Sequence, residues 1–151
     1  MPENAVALIK ADHRQVEKLF KQFEEAGERA YKTKQRLVEE IIGHLEAHAV
    51  VEEELFYPAV EAKAAKDGKE MIHEAEEEHH VVKLLLGELK GMQPEDSHYD
   101  AKVTVLIENV RHHVEEEESE LLPKAEKLLG DQAMQDLGTR MAARKQQLLS
   151  R

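Results

Sequence analysis

The chain of 151 residues contains no cysteine. Disulfide bonds, thiolate metal ligands and thiol nucleophiles are therefore excluded, and their absence fits a reducing compartment. The first residues also lack the apolar run of a signal peptide, and no later apolar segment approaches the length that spans a membrane. We therefore expect a cytoplasmic protein.

Positive charge is also scarce, because 32 Asp and Glu residues outnumber 21 Lys and Arg residues and give a formal net charge of −11. An acidic surface of this kind repels phosphate backbones. The few basic residues form no stripe outside the C-terminal tail, which carries Arg140, Arg144, Lys145 and Arg151. We expect no nucleic acid partner and no membrane partner, and a monomer or a weak homodimer.

Proline is rare, with four in the chain, and apolar residues recur at spacings of three and four, which predicts an all-α protein. Short turns at Asp67-Gly68 and at residues 91–96 predict an up-and-down antiparallel four-helix bundle made of two helical hairpins. A short basic fifth helix after Gly130 is expected to dock on the bundle. The predicted domains are a bundle, residues 1–129, and a C-terminal helix, residues 130–151. The predicted helices span residues 4–27, 33–66, 69–89, 97–129 and 131–149.

Six polar residues occupy helix positions where the apolar pattern requires leucine or isoleucine. Residues four apart lie on one helix face, roughly 6 Å apart along the axis, so each His-x-x-x-Glu pair directs an imidazole and a carboxylate at one point. Without partners in a core, such groups would cost about 1–3 kcal/mol each, and six would rival the roughly 5–15 kcal/mol stability of a domain. A bound metal would satisfy them. The six are His13, His48, Glu52, His79, His113 and Glu117.

The same pattern occurs twice in the chain. ADHRQVEKL around His13 matches EEHHVVKLL around His79 at an offset of 66, and HAVVEEELFYP, residues 48–58, matches HVEEEESELLP, residues 113–123, at an offset of 65. Two copies of one hairpin would bring four histidines and two glutamates to the middle of the bundle. Such a set is enough for two metal ions bridged by carboxylates and suits iron, manganese or zinc. Because proline frees the carbonyl four residues back, Pro58 and Pro123 predict a bend beyond each glutamate.

This order of ligands resembles the hemerythrin-like HHE cation-binding family over roughly residues 4–129. The resemblance implies a non-heme di-iron centre, oxo- or hydroxo-bridged, inside the bundle. It implies that the six residues above hold two Fe ions, with both glutamates bridging them. It further implies a metal-binding protein whose ligand is a small diatomic molecule or a peroxide. A ferritin-like bundle would instead need Glu-x-x-His on two helices, and of the four histidines only His79 has a glutamate, Glu76, at that spacing.

One position departs from the oxygen-carrying hemerythrins. Those proteins resemble this chain but place a further histidine four residues after the third-helix ligand, where this chain has Lys83. A protonated lysine cannot bind a metal, so we expect a centre that is more symmetric and more open. Glu17 occupies the equivalent position on the first helix, where it would pair with Lys83, reach the metal or face solvent.

The choice between neighbouring histidines depends on helix register. His79 is preferred to its neighbour because Glu78-His79 matches Asp12-His13, and His113 is preferred to its neighbour because of its spacing to Pro123. His44 lies one turn before His48, from where it could contact the ligands or the metal. We therefore place Glu17, His44 and Lys83 in the layer around the ligands, and name no catalytic residue.

Three classes of function fit such a centre in oxidative or nitrosative stress. An enzyme that decomposes peroxide or oxidises nitric oxide would turn over. A sensor or carrier would bind oxygen or nitric oxide without net chemistry, and a sensor without a fused signalling domain would need its fifth helix to recruit a partner. An iron donor for the repair of damaged iron centres needs only two ions per chain. We favour binding or processing of a small oxidant: oxygen, peroxide or nitric oxide.

Overall fold

The fold comes from a computed structural model that describes residues 4–150. Residues 1–3 and Arg151, which belong to the predicted domains, lie outside the described residues. Two five-residue π-helical segments, Glu52–Phe56 and Glu117–Leu121, each continue one α-helix into the next. No strand occurs in the part of the chain that the structure describes, and the predicted all-α class is confirmed. The helices are α1 (Ala5–Glu25), α2 (Tyr31–Val51), α3 (Tyr57–Glu61), α4 (Lys66–Lys90), α5 (Tyr99–Glu116) and α6 (Leu122–Leu149).

The bundle consists of two hairpins, in which α1 packs against α2 and α4 packs against α5. Apolar side chains form two clusters at different heights along the bundle. One contains Phe20 and Ile41, and the other contains Ile9 and Phe56. The histidine and glutamate positions of the sequence pattern fall between the two clusters. Across residues 4–150, every helix is too short or too polar to span a lipid bilayer.

The predicted fifth helix is the second half of α6, which bends at Gly130. Gly130 has a φ of 80°, the left-handed conformation that glycine adopts readily. Beyond the bend, Met134, Leu137 and Met141 are buried in the same apolar cluster as Ile9. The predicted docking face is therefore observed, and so is the predicted break, because the non-helical backbone at Gly130 divides α6 into two helices.

Asp67 and Gly68 do not separate two helices as predicted. They lie in the first turn of α4, and the break falls instead at residues 62–65. A carboxylate is favourable at a helix N-terminus, and Asp67 Oδ1 accepts a hydrogen bond from the Gly68 backbone N–H at 3.0 Å. Gly68 is required by packing, because a Cβ there would lie 2.8 Å from the Cβ of Ala64. Asp-Gly is typical of turns, but here close packing explains the glycine.

Gly68→Ala should lower the free energy of unfolding by about 1–3 kcal/mol, because the added methyl group overpacks against Ala64. Gly87 is the matched control, since it is exposed within the same helix and a Cβ there has no neighbour within 4 Å. Gly87→Ala should raise the free energy of unfolding by about 0.5–1 kcal/mol through helix propensity. Urea unfolding measures both changes, and shifts of the same sign would contradict the packing argument.

Candidate metal centre

Six polar side chains converge between the two apolar clusters, and we call this region the layer. The four imidazoles come from α1, α2, α4 and α5, and each carboxylate comes from the first residue of a π-helical segment. All except His48 are buried, and the His48 side chain is only 12% exposed. The structure thus brings together every residue of the sequence pattern: His13, His48, Glu52, His79, His113 and Glu117.

Each glutamate lies between one histidine of the first hairpin and one of the second. Glu52 Oε1 is 3.0 Å from His48 Nε2 and 3.1 Å from His79 Nε2. Glu117 Oε1 is 3.1 Å from His13 Nε2, and its Oε2 is 3.3 Å from His113 Nε2. The ring centroids of the two histidines in each hairpin lie within about 5 Å of each other, 5.2 Å in the first pair and 4.8 Å in the second. Two groups of three residues can each hold a metal ion: His13, His48 and Glu117, and Glu52, His79 and His113.

The inward-facing atoms have the chemistry of metal ligands. Buried polar atoms without partners cost about 1–3 kcal/mol each, so a fold keeps several together only where something else satisfies them. Their N···O separations of 3.0–3.3 Å, without hydrogen-bond geometry, match two atoms that each lie about 2.0–2.2 Å from one ion. The residues present therefore fit a bound metal. The atoms that lack a hydrogen-bond partner are His13 Nε2, His48 Nε2, His113 Nε2, Glu52 Oε2 and Glu117 Oε1.

The outer nitrogen of every imidazole in the layer contacts a carboxylate. This contact fixes the ring with Nε2 directed inward and makes the imidazole a stronger ligand. Two of these carboxylates belong to Glu53 and Glu118, which directly follow Glu52 and Glu117 and were not identified from the sequence. The Nδ1 contacts are His13 with Glu118 at 2.6 Å, His48 with Asp12 at 2.8 Å, His79 with Glu53 at 2.7 Å and His113 with Glu78 at 2.7 Å.

These carboxylates give the layer a strong preference for positive charge. Burial opposes charge on His113, but the adjacent carboxylates of Glu117 and Glu78 outweigh it and raise the pKa of His113 to about 10. Burial likewise opposes charge on Glu52, yet the neighbouring His48 and His79 hold the pKa of Glu52 well below its usual range. A metal ion must displace protons from such imidazoles, so metal binding would release protons.

Tyr57 is a seventh polar group of the layer, and the sequence analysis missed it. Its hydroxyl donates to Glu117 Oε2 at 2.7 Å and lies 3.2 Å from both Glu52 Oε1 and His79 Nε2. The side chain is buried. Burial, together with the negative charges of Glu52 and Glu117, raises the pKa of Tyr57 well above its usual range. Tyr57 is therefore a neutral hydrogen-bond donor to Glu117, and its hydroxyl also lies close to Glu52.

The π-helical segment explains why the α-helical pattern did not reveal Tyr57. In an α-helix, a residue five positions after Glu52 would point about 140° away from it. Here the Tyr57 backbone N–H donates to the Glu52 carbonyl, which adds a residue to the turn and brings Tyr57 back to the same face. Pro58 favours this turn because it has no N–H to donate to the carbonyl four residues back. A tyrosine directly before a proline within a predicted helix was the sequence feature that could have indicated this π-helical turn.

The three residues placed around the ligands differ in their contacts. Lys83 donates to Glu53 Oε1 at 2.7 Å and so touches the carboxylate that holds His79. Glu17 accepts hydrogen bonds from Arg111 at 2.9 and 2.8 Å, and pairs with that residue instead of Lys83. His44 is half-buried and lines a cavity beside the layer.

That cavity has a volume of about 340 Å³ and reaches all four imidazoles of the layer. Lys83 and His44 also line it. A small uncharged molecule could therefore approach the imidazoles through an apolar space. The apolar lining consists mainly of Val16, Leu45, Val82, Leu86, Val110 and Val114.

Two known proteins match the chain over most of its length. A hemerythrin-like protein of Schizosaccharomyces pombe is 30% identical over 121 residues, which cover 80% of this chain and 59% of that protein. A DNA nickase of a Nostoc species is 26% identical over 151 residues, which cover 98% of this chain and 41% of that protein. The chain thus spans roughly half the length of these two relatives.

A solved structure and a family pattern complete the comparison. The crystal structure of a hemerythrin HHE cation binding domain-containing protein from Mycobacterium kansasii matches with a TM-score of 0.82 and 26% identity, over 97% of this chain and 87% of that chain. The hemerythrin HHE cation binding domain pattern matches residues 4–125, which include all six converging histidines and glutamates. The chain therefore belongs to the hemerythrin HHE cation-binding domain family.

Proposed function

We propose that the chain holds two iron ions in this layer and that the centre binds or processes a small oxidant: oxygen, peroxide or nitric oxide. The proposal rests on the convergence of buried ligand atoms that have no hydrogen-bond partners. One ion would be held by the two histidines of the first hairpin and the other by the two of the second, with both glutamates bridging. The histidines are His13 and His48, and then His79 and His113.

The charges around the layer support two divalent ions. Two carboxylates lie inside the layer, and four more bind the outer imidazole nitrogens. Lys83 and Lys145 each bind one of these outer carboxylates, Glu53 and Asp12 respectively. With neutral imidazoles, six carboxylates and two ammonium groups leave a net charge of −4, which two divalent cations neutralise. With one divalent ion, a net charge of about −2 would remain on this group of residues.

The donor set of nitrogen and oxygen suits iron but also manganese and zinc, so iron is proposed from the resemblance to hemerythrins. Bound iron would supply reversible electron transfer and an open position for an oxidant. The chain's own residues would prepare that position. The outer carboxylates would hold the imidazoles in place, and the apolar cavity would limit the access of water. The Tyr57 hydroxyl would donate a hydrogen bond to Glu117 and lie next to His79.

Stopped-flow mixing of reduced, iron-loaded protein with oxygen, peroxide and nitric oxide in turn tests the proposal. Sustained consumption of one of them would identify an enzyme, and reversible spectral change without consumption would identify a carrier or sensor. Transfer of iron to a chelator on oxidation would favour the iron donor. A reduced protein that is inert to all three molecules would contradict the proposed function.

Protein produced with ample iron should contain about two iron ions per chain. His48→Ala and His113→Ala should each remove much of that metal, because each takes one nitrogen from one ion position. His80→Ala is the matched control, since His80 neighbours His79 but is exposed. Elemental analysis measures the content, and wild-type protein with almost no metal would refute the assignment.

Removal of metal by a chelator should lower the melting temperature by about 8–16 °C. A ligand at a thousand times its Kd stabilises by roughly 4 kcal/mol, and each kcal/mol corresponds to about 2–4 °C in a chain of this size. Circular dichroism melts before and after chelation measure the shift. An unchanged melt after verified metal loss would mean that the histidines and glutamates satisfy one another without an ion.

Tyr57→Phe should leave the metal content near the wild-type value but slow the reaction with peroxide by roughly 10- to 100-fold. The variant removes one hydrogen bond to a charged group, worth about 1.5–3 kcal/mol, and about 1.4 kcal/mol corresponds to a factor of ten in rate. Tyr99→Phe is the matched control, because Tyr99 is equally buried but lies in the apolar cluster that contains Phe20. Equal rates in wild type and Tyr57→Phe would exclude a role for the hydroxyl.

A further inference from the structure

A cluster of one histidine and two glutamates lies at the surface beside the proposed metal centre. Glu78 comes from α4, and His112 and Glu116 come from α5. His112 Nε2 is 2.6 Å from Glu116 Oε1 and 4.0 Å from Glu78 Oε2. One potential ligand atom from each of the three lies within 4.8 Å of the others. An imidazole with two carboxylates is a donor set that divalent transition metals bind.

Glu78 connects this surface cluster to the buried layer through its two oxygens. Glu78 Oε1 lies 2.7 Å from His113 Nδ1, while Oε2 is the oxygen nearer to His112. The Glu78 carboxylate therefore lies next to His112 of the surface cluster and to His113, a ligand of the proposed metal centre.

A narrow crevice of about 30 Å³ lies beside the same cluster. It is lined by Glu78 and Glu116 and also by His113 and Glu117 of the buried layer. The Glu117 side chain is 1% exposed, and its Oε1 has no hydrogen-bond partner. The crevice has about the volume of one water molecule. It is suited to an ion that has lost most of its hydration shell, and not to a larger ligand.

The pseudo-two-fold relation of the hairpins provides an internal comparison for the crevice. At the offsets of the repeat, His112 and Glu116 correspond to Ala47 and Val51, which are both buried. Two further acidic residues of the crevice correspond to leucines that pack against the apolar cluster around Ile9. The corresponding pairs are Glu74 with Leu8 and Glu120 with Leu55.

The two related surfaces also differ in how their outer carboxylate is covered. Asp12, which corresponds to Glu78, is bound by Lys145 of α6. Glu78 instead has His112 and Glu116 beside it. One surface is thus closed by apolar side chains and an ammonium group, and the other presents carboxylates and an imidazole to solvent. Of these two surfaces, only the second attracts a cation towards the layer.

We propose that Glu78, His112 and Glu116 form a loading site that captures a divalent cation and passes it along the crevice to the metal centre beside His113. This inference rests on the proposed metal binding and adds the route by which the ion arrives. The transfer is an exchange of ligands without change of oxidation state. The ion leaves His112 and Glu116, while Glu117 supplies an oxygen for it inside the layer. The loading site is then free for the next ion.

Uptake of Co²⁺ by metal-free protein tests the route, because the visible absorption of Co²⁺ reports its ligands. Stopped-flow mixing should show loading slowed about fivefold or more in both His112→Ala and Glu116→Gln, since each removes part of the site that concentrates the cation. The final absorbance and the ions bound per chain should stay at wild-type values. Wild-type protein should also bind a weaker additional ion in equilibrium titration, which His112→Ala loses. The His112 side chain is exposed and Glu116 is only half-buried, so these variants are expected to fold.

The cluster of Glu61, His73 and Glu76 supplies the matched control. It has the same composition and is also largely exposed, with His73 Nε2 3.8 Å from Glu61 Oε1, but it does not line the crevice. His73→Ala and Glu76→Gln should load at the wild-type rate. Wild-type rates in the His112 and Glu116 variants, or equal slowing in the control variants, would overturn the loading site while leaving the metal centre intact. A metal-free protein that takes up no Co²⁺ would overturn both the loading site and the metal centre.

Discussion

The bundle is organised around a surplus of carboxylate charge in and beside one buried layer. Two glutamates lie inside the layer, and four acids hold its imidazoles from outside. Protons on the imidazoles or bound metal ions can balance these charges, and the short contacts require one or the other. The apolar clusters on both sides keep water away and make that requirement stronger. The orientation of the rings and the need for a cation thus have one electrostatic origin.

The repeat of the two hairpins determines which side chains line the layer. A few residues that do not follow the repeat make its two halves different. The imidazole and carboxylate pairs follow the repeat, including the outer acids. Tyr57 and its counterpart Leu122 do not, since only one of these buried side chains carries a hydroxyl. Lys145 also reaches only one half, because α6 packs on the first hairpin. Two ions in this layer would therefore meet different surroundings despite equivalent ligands.

The sequence predicted the parts of the fold that depend on periodic spacing. Apolar positions three and four apart predicted the all-α bundle, and the repeat predicted which six polar side chains would meet. The register argument selected the buried His79 and His113, whose neighbours His80 and His112 are exposed. Spacing could not predict Tyr57, because its position depends on a π-helical turn that breaks the α-helical period. Spacing also could not identify Glu53 and Glu118. From the sequence, an acid next to each of Glu52 and Glu117 looks like a solvent-exposed residue, and its histidine partner is known only once the neighbouring helix is in place.

The number of residues in each of the two π-helical segments is also constrained by the structure. Each segment adds about one residue to an α-helical turn, and one residue corresponds to about 100° of rotation. Deleting a single residue from either segment would therefore rotate everything that follows in that helix. After Glu117, the rotated part would include Leu122 and Ala125, which are fully buried. At these two points an insertion or deletion would be more damaging than most substitutions, so the spacing between each glutamate and the proline six residues later is itself part of the site.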